Sequence, residues 1–277
     1  MYRGQKRIPP AKASHALRRR ARSTPRRPYD LVVYQLGNAP CHDYMWAYMV
    51  RYPGLVVLHD GQLHHARTRH LLAQRRENDY RREFEFNHPG TNPAFAELGI
   101  VGLLGPLMYF WPMRRVVVET ARALIVHNTW LAEEIREESP RTTIHTVEMG
   151  VPPPAVHDDA RASIRARHNI PADAVVFVAL GGVTQEKRIP QAIRALASIR
   201  RAVPEARLLL VGNNAWHYDA LADARAMDVE DRVILADYVP ESDVPLYLAS
   251  ADVCLCLRWP TSRETSSSWL RCLAAGR

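Results

Sequence analysis

Two short segments carry residue types that could do chemistry. Gly181-Gly182-Val183-Thr184-Gln185-Glu186-Lys187-Arg188 sets a glycine turn and a lysine after one apolar run, and Glu264-Thr265-Ser266-Ser267 sets a carboxylate and small hydroxyl residues after a later one. Residues 174–180 are valine-rich and of strand length, and apolar residues recur at helical spacing over 190–203. A strand, a glycine turn and a helix aim backbone N–H groups and the positive end of the helix dipole at one point, where an anion is favoured. Lys187 adds a full charge there. The bland alternative is that the glycines only make a tight turn and Lys187 is a solvated surface lysine.

Residues 252–257 read as a second buried strand, Pro260 breaks it, and Glu264 stands just before a helix expected over about 265–275. Thr265, Ser266 and Ser267 would then offer the free N–H groups of a first turn, plus hydroxyls, beside a carboxylate able to accept from sugar hydroxyls. A plain helix start with Glu264 complementing the dipole is the alternative, although it leaves the pairing with the glycine-lysine turn unexplained. Together the two segments suit a ligand with a diphosphate at one end and hydroxyls at the other, as a nucleotide sugar has.

The elements that must position these residues alternate between strand and helix along the chain, which argues an α/β class with parallel sheets. A chain of 277 residues with 47% hydrophobic content has room for two soluble domains. Pro152-Pro153-Pro154 is a stiff break. The expected division is a basic arm over 1–28, a first, acceptor-side domain over 29–151 and a second, nucleotide-sugar-binding domain over 152–277. In the first domain, residues 31–38 and 55–60 read as strands ending in polar residues, as ligand-binding strand ends of open α/β sheets do. Asn128 and Thr129 are expected to cap a helix over 130–139. His59, Asp60, His64 and His65 lack a distinctive metal-ligand spacing, so no metal and no cofactor is assigned.

The net charge of +8 is misleading, because residues 1–28 hold ten of the 37 lysines and arginines and none of the 29 acids. The arm could bind nucleic acid or anionic lipid, but such segments are more often solvated tails, and a nucleic-acid partner is not expected. Arg67, Arg69, Arg75, Arg76, Arg81 and Arg82 could draw a phosphorylated lipid or a membrane surface. Glu77, Asp79, Glu83 and Glu85 dilute that charge into a solvated helical face. Residues 98–113, the longest uncharged stretch, fall short of the roughly 20 residues of a membrane span and read as buried helix and loop, with contact at a bilayer surface as the alternative. The four cysteines include no Cys-x-x-Cys; Cys254 and Cys256 share one side of a strand, while Cys41 and Cys272 are distant in sequence. Reduced thiols and a cytoplasmic location, peripheral at the inner face of a membrane at most, are the simplest expectation. No Gly-x-Gly-x-x-Gly occurs, which argues against a nicotinamide enzyme.

In order along the chain come Ala123-Leu124-Ile125-Val126-His127-Asn128, Glu148-Met149-Gly150-Val151-Pro152, the glycine-lysine turn, Leu208-Leu209-Leu210-Val211-Gly212, residues 232–240, residues 246–253 and residues 264–276. This series resembles the retaining glycosyltransferases of family 4, which have two facing Rossmann-like domains, the GT-B fold. The resemblance implies transfer of a sugar, with retention, from a nucleotide diphosphate sugar to a glycan, lipid or small-molecule acceptor. It implies that Gly181, Gly182, Lys187 and Arg188 meet the diphosphate, that Glu264 meets the donor sugar, and that the N–H groups of Thr265, Ser266 and Ser267 neighbour sugar and phosphate. Backbone near Tyr238 and Val239 would hold the base, and His59 would orient donor or acceptor hydroxyls. Gly182 stands where the family often has an arginine. Cys272, or Arg271 when counted from the helix end, stands where it often has a second glutamate. The family also starts with an earlier strand and continues beyond the equivalent of Arg277. The chain is therefore expected to hold two incomplete domains, and to be a weak enzyme or a fragment that binds nucleotide without turnover.

Overall fold

The computed structural model describes residues 29–150, 159–260 and 271–272. The first sheet holds β1 (Val33–Leu36), β2 (Leu55–Leu58), β3 (Ala123–Val126) and β4 (Ile144–Thr146), all parallel and in sequential order. Its helices are α1 (Met45–Arg51), α2 (His64–Leu72), α3 (Glu77–Asn87), α4 (Ala94–Ile100), α5 (Arg115–Thr120) and α6 (Thr129–Glu138). The second sheet holds β5 (Val176–Leu180), β6 (Arg207–Val211), β7 (Val233–Leu235) and β8 (Val253–Cys254), parallel in the order β7-β6-β5-β8. Around it lie α7 (Ala160–Arg167), α8 (Ile189–Ile199), α9 (Ala220–Ala226) and α10 (Val244–Ala249).

The continuous apolar runs of β5 and β6 follow from burial on both faces. Because successive side chains alternate, Ala179, Leu208 and Leu210 pack with α8 and α9, whereas Val176, Val178, Leu209 and Val211 pack with α7 and α10. A strand covered on one face alone would read as apolar-polar alternation. The edge strand β1 alternates in burial, with Tyr34 and Leu36 buried and Val33 and Gln35 exposed, although Val33 is apolar. In the first unit Leu36, Met49, Leu58, Leu124 and Ile135 form the main core, and Leu71, Tyr80, Phe84 and Met113 form a second one under α2, α3 and α4.

Several expected elements differ in extent. The strand expected over 252–257 is confined to Val253–Cys254, because it pairs with β5 alone and Asp252 is engaged by α7: its carboxylate accepts from Arg165 Nη2 at 2.8 Å and from the Val176 N–H at 2.7 Å. Of the arginines after His59, Arg67 and Arg69 lie on α2, Arg81 and Arg82 on α3, and Arg75 (φ 55°) and Arg76 in the turn between them. Arg67 is not on a solvated face: it is buried, stacks 4.2 Å over the Trp46 ring and pairs with Glu83. Arg76 and Arg82 share Asp79, and Arg81 pairs with Glu97. The cap at Asn128 forms as expected, its side chain accepting from the Leu131 N–H at 2.8 Å. The arm over 1–28, the break at Pro152, Pro153 and Pro154, and Glu264, Thr265, Ser266 and Ser267 lie outside the described residues.

Two glycines lock the loops after β5 and β6 together. Gly212 has φ +145°, and a Cβ there would meet the Gly181 carbonyl oxygen at 2.4 Å, while Gly181 itself has φ 96° and donates to Val211 at 2.8 Å. A Cβ on Gly182 meets only Thr184, at 3.9 Å. Gly212→Ala is therefore expected to lower stability by at least about 1–3 kcal/mol, and Gly182→Ala to leave it within about 0.5 kcal/mol. Urea unfolding of both variants checks this, and equal stabilities would mean the loops are not held by that contact.

Candidate active site

In the second sheet the strand order reverses between β5 and β8, and the connections after these strands leave on opposite faces: Ile189 and Ile193 of α8 pack on one, Cys272 on the other. Such a reversal opens a crevice beyond the carboxyl ends of the two strands. The Gly181–Lys187 turn follows β5 into this crevice, and residues 255–260 follow β8. A bond from the Trp259 N–H to the Glu186 carbonyl, 2.8 Å, ties the two loops. A third loop joins them, since Val183 donates to Asn213 at 2.9 Å and accepts from the Ala215 N–H at 3.0 Å, beside the 91% exposed Trp216.

Lys187 is not a solvated surface lysine. Its Nζ donates to the Leu180 carbonyl at 2.6 Å, and burial, with the Arg258 charge beside it, pulls its pKa below the ordinary lysine value. Arg188, at the N-cap of α8, adopts a left-handed conformation (φ 59°) that carries its guanidinium to 5.8 Å over the Trp259 ring. Arg258 Nη2 donates to the Tyr109 hydroxyl of the first unit at 3.1 Å, and its Nε is buried without a partner. No carboxylate among the described residues forms an ion pair with Lys187, Arg188 or Arg258.

At the carboxyl edge of the first sheet, imidazoles form a chain across all four strands. His127 Nδ1 lies 2.9 Å from the Val147 carbonyl beyond β4, His127 Nε2 lies 3.0 Å from His59 Nδ1, and His59 Nε2 lies 2.7 Å from the Gln35 side-chain amide on β1. The His59 and His127 rings stack with centroids 5.0 Å apart. A backbone carbonyl and the Gln35 Oε1 both only accept, so His127 carries a proton on Nδ1 and His59 carries one on Nε2, and the contact between His59 Nδ1 and His127 Nε2 becomes a hydrogen bond when the pair takes up one further proton. Burial first and His127 second lower the His59 pKa, opposed by Asp60. His64 and His65 turn elsewhere: His64 Nε2 meets the Tyr80 hydroxyl at 2.6 Å, with burial pushing its pKa down to about 4, and His65 packs against Tyr109.

Tyr238 and Val239 follow β7, two strands from β5 on the same edge. Tyr238 is 73% exposed and Val239 packs against the core beside α10. Cys272, distant in sequence, is buried against Cys254 and Cys256. Its thiol donates to Cys254, which draws the Cys254 pKa down to about 7 and holds the Cys272 proton on. Arg271 pairs with Glu241. Residue types alone pointed to Lys187, Arg188 and His59. His127, Arg258 and Cys272 are brought in by the fold, and the one sequence signal for them is that each stands directly after or packs beside a strand end on the ligand edge.

Residues 160–261 match the family described as Glycosyl transferases group 1. A GDP-mannose-dependent α-(1-6)-phosphatidylinositol monomannoside mannosyltransferase of Mycolicibacterium smegmatis is 33% identical over 95 residues, 34% of this chain and 25% of that protein. A D-inositol 3-phosphate glycosyltransferase of Kineococcus radiotolerans is 35% identical over 102 residues, 34% of this chain and 23% of that protein. The chain thus matches about a quarter of the length of each curated relative. Among solved structures, the lipopolysaccharide glycosyltransferase WaaG superposes over 95% of this chain and 60% of its own, with TM-score 0.60 and 14% identity. Anabaena HepE with UDP-glucose superposes over 86% and 61%, with TM-score 0.54 and 13% identity. These likenesses give the GT-B fold of two Rossmann-like units.

In His127→Phe, with one like charge removed, the His59 pKa should rise while its neutral form keeps the proton on Nε2, donated to Gln35. Nitrogen-15 shifts across a pH titration read both, and an unchanged His59 pKa would mean that His127 does not set it.

Proposed function

We propose that the Glycosyl transferases group 1 domain over residues 160–261 takes a nucleotide diphosphate sugar in the crevice between β5 and β8, and that the protein moves the sugar, with retention, to a glycan, lipid or small-molecule acceptor. The observation that carries this reading is Lys187, partly buried at the strand-order reversal and beside a second cation, with no carboxylate among the described residues to neutralise either. Cations gathered so, at the start of α8, await an anion supplied by the ligand. One relative is GDP-mannose-dependent and the HepE structure holds UDP-glucose, two molecules that differ in base and sugar, so the proposal extends to the diphosphate and its sugar alone.

Chemically, the barrier to transfer falls chiefly by stabilising the departing diphosphate, which Lys187 and the positive end of the α8 dipole do without bond-making by the protein. Arg188 and the turn at Gly181 and Gly182 shape that pocket, Glu264 and the N–H groups of Thr265, Ser266 and Ser267 receive the sugar, and backbone at Tyr238 and Val239 receives the base. His59, at the first sheet's edge, orients a hydroxyl of donor or acceptor. A second reading, nucleotide binding without turnover, draws on Cys272 and Arg271: one is buried among thiols and the other is paired with Glu241, so neither stands ready for ribose hydroxyls.

For location we propose a cytoplasmic protein that touches the membrane's inner face. No helix among the described residues is long and apolar enough to cross a membrane, yet Val101, Leu103, Leu107 and Phe110 are exposed within one short stretch. Replacing Leu103 and Phe110 by aspartate should abolish co-sedimentation with phosphatidylglycerol vesicles, and undiminished sedimentation removes the membrane contact.

Burial and Arg258 lower the Lys187 pKa, and a bound diphosphate would raise it again, so binding takes up a proton wherever Lys187 is partly deprotonated. Affinity for a nucleoside diphosphate should then fall as pH rises through the lowered pKa, and the fall should disappear in Lys187→Arg. Lys187→Ala should lose about 1.5–3 kcal/mol of binding. Titration calorimetry across pH tests this, and a nucleotide affinity unchanged in Lys187→Ala refutes the site.

A further inference from the structure

We infer that Arg258 is a second diphosphate-binding residue of the crevice, and that its contact with Tyr109 competes with that role. The inference rests on the nucleotide reading above but is tested apart from it. Position comes first: Arg258 follows β8, the strand across the reversal from β5, and the next residue, Trp259, bonds to the backbone of Glu186, the neighbour of Lys187. The two cations are thus held on facing sides of one crevice.

Charge comes second. After burial, Arg258 is the largest influence lowering the Lys187 pKa, so the two positive groups repel in partly buried surroundings. Elsewhere this chain pairs its buried arginines: Arg67 with Glu83, Arg114 with Glu134 and Glu138, Arg165 with Asp252. Arg258 has a neutral phenol at 3.1 Å and the Tyr109 ring at 5.5 Å instead. Its Nε is the third observation, a buried donor with no acceptor. An orphaned buried donor costs stability, and an oxyanion between Arg258 and Lys187 would satisfy the donor and remove the repulsion. A guanidinium presents two parallel donors to a phosphate, and a charged oxygen is a stronger acceptor than a tyrosine hydroxyl. Arg258 would therefore give up Tyr109 for the phosphate, and the site's occupancy would be sensed at the seam between the two units, where His65 also packs on Tyr109.

Inorganic pyrophosphate and inorganic phosphate are the probes, titrated by calorimetry into the full chain. Arg258→Gln should weaken pyrophosphate about tenfold or more. Arg258→Lys should recover part of that, as charge without the fork, and carries the comparison if the glutamine variant does not fold. Tyr109→Phe, which keeps the ring and removes the competing acceptor, should tighten pyrophosphate several-fold. A purely structural tie would make Arg258→Gln and Tyr109→Phe both weaken binding. The inference is overturned by that result, by no binding of pyrophosphate to the wild type, or by equal affinities in wild type, Arg258→Gln and Arg258→Lys; absence of tightening in Tyr109→Phe overturns the competition. Pyrophosphate binding with no gain for a nucleoside diphosphate would keep the inference and sink the nucleotide reading.

Discussion

The second unit depends on one constraint, the reversal of strand order at β5. Parallel strands must be joined by crossovers, and crossovers with one hand carry successive helices to one face until the order turns back. Here α8 leaves β5 to one face and Cys272 follows β8 on the other. Backbone ends are left facing each other with no helix between them, and the loops that fill the gap are held by main-chain contacts: Gly212 against Gly181, Trp259 on Glu186, Val183 on Asn213 and Ala215. Side chains are thereby freed from holding the loops and can be charged.

That freedom explains the unusual distribution of cations. A buried arginine is tolerated where its donors are met, as at Arg165, which reaches the carbonyls of Ala172 and Ala174 at 3.0 and 2.9 Å and the Asp252 carboxylate. Around the crevice the same chain leaves Lys187 with one carbonyl and Arg258 with one phenol. A site that keeps its charges uncompensated sacrifices folding stability for affinity toward whatever supplies the missing negative charge.

Local signals made part of this visible in the sequence. The two-face burial of β5 and β6 leaves continuous apolar runs, the glycine turn and Lys187 adjoin in the chain, and Asn128 caps its helix through a bond three residues long. The strand over 252–257 was overestimated, because an apolar run carries no sign of whether it has one neighbour or two. His127 reaches His59 across 68 residues, and Arg258 reaches Tyr109 across 149. Such pairs follow from sheet order, and no residue spacing encodes sheet order. Cys272 is the plainest case: distant from Cys254 in the chain, it packs into the same buried cluster as Cys254 and Cys256.

The two ligand edges differ in electrostatic character, and the difference suits one molecule better than two unrelated ones. The first edge carries two stacked imidazoles, of which His59 is held toward its neutral form by burial and by His127. The second is a set of cations that form no ion pair with a carboxylate among the described residues. A hydroxyl-bearing group placed among cations would gain little, and a diphosphate beside neutral His59 would meet no full positive charge. A ligand with a charged end and a hydroxyl-bearing end has a single favourable orientation across the seam that Tyr109 and Arg258 close. If that ligand is the nucleotide sugar proposed above, orientation fixed by charge at one end and by hydrogen bonds at the other would place the sugar–phosphate bond between the sheets, within reach of an acceptor held by the first unit.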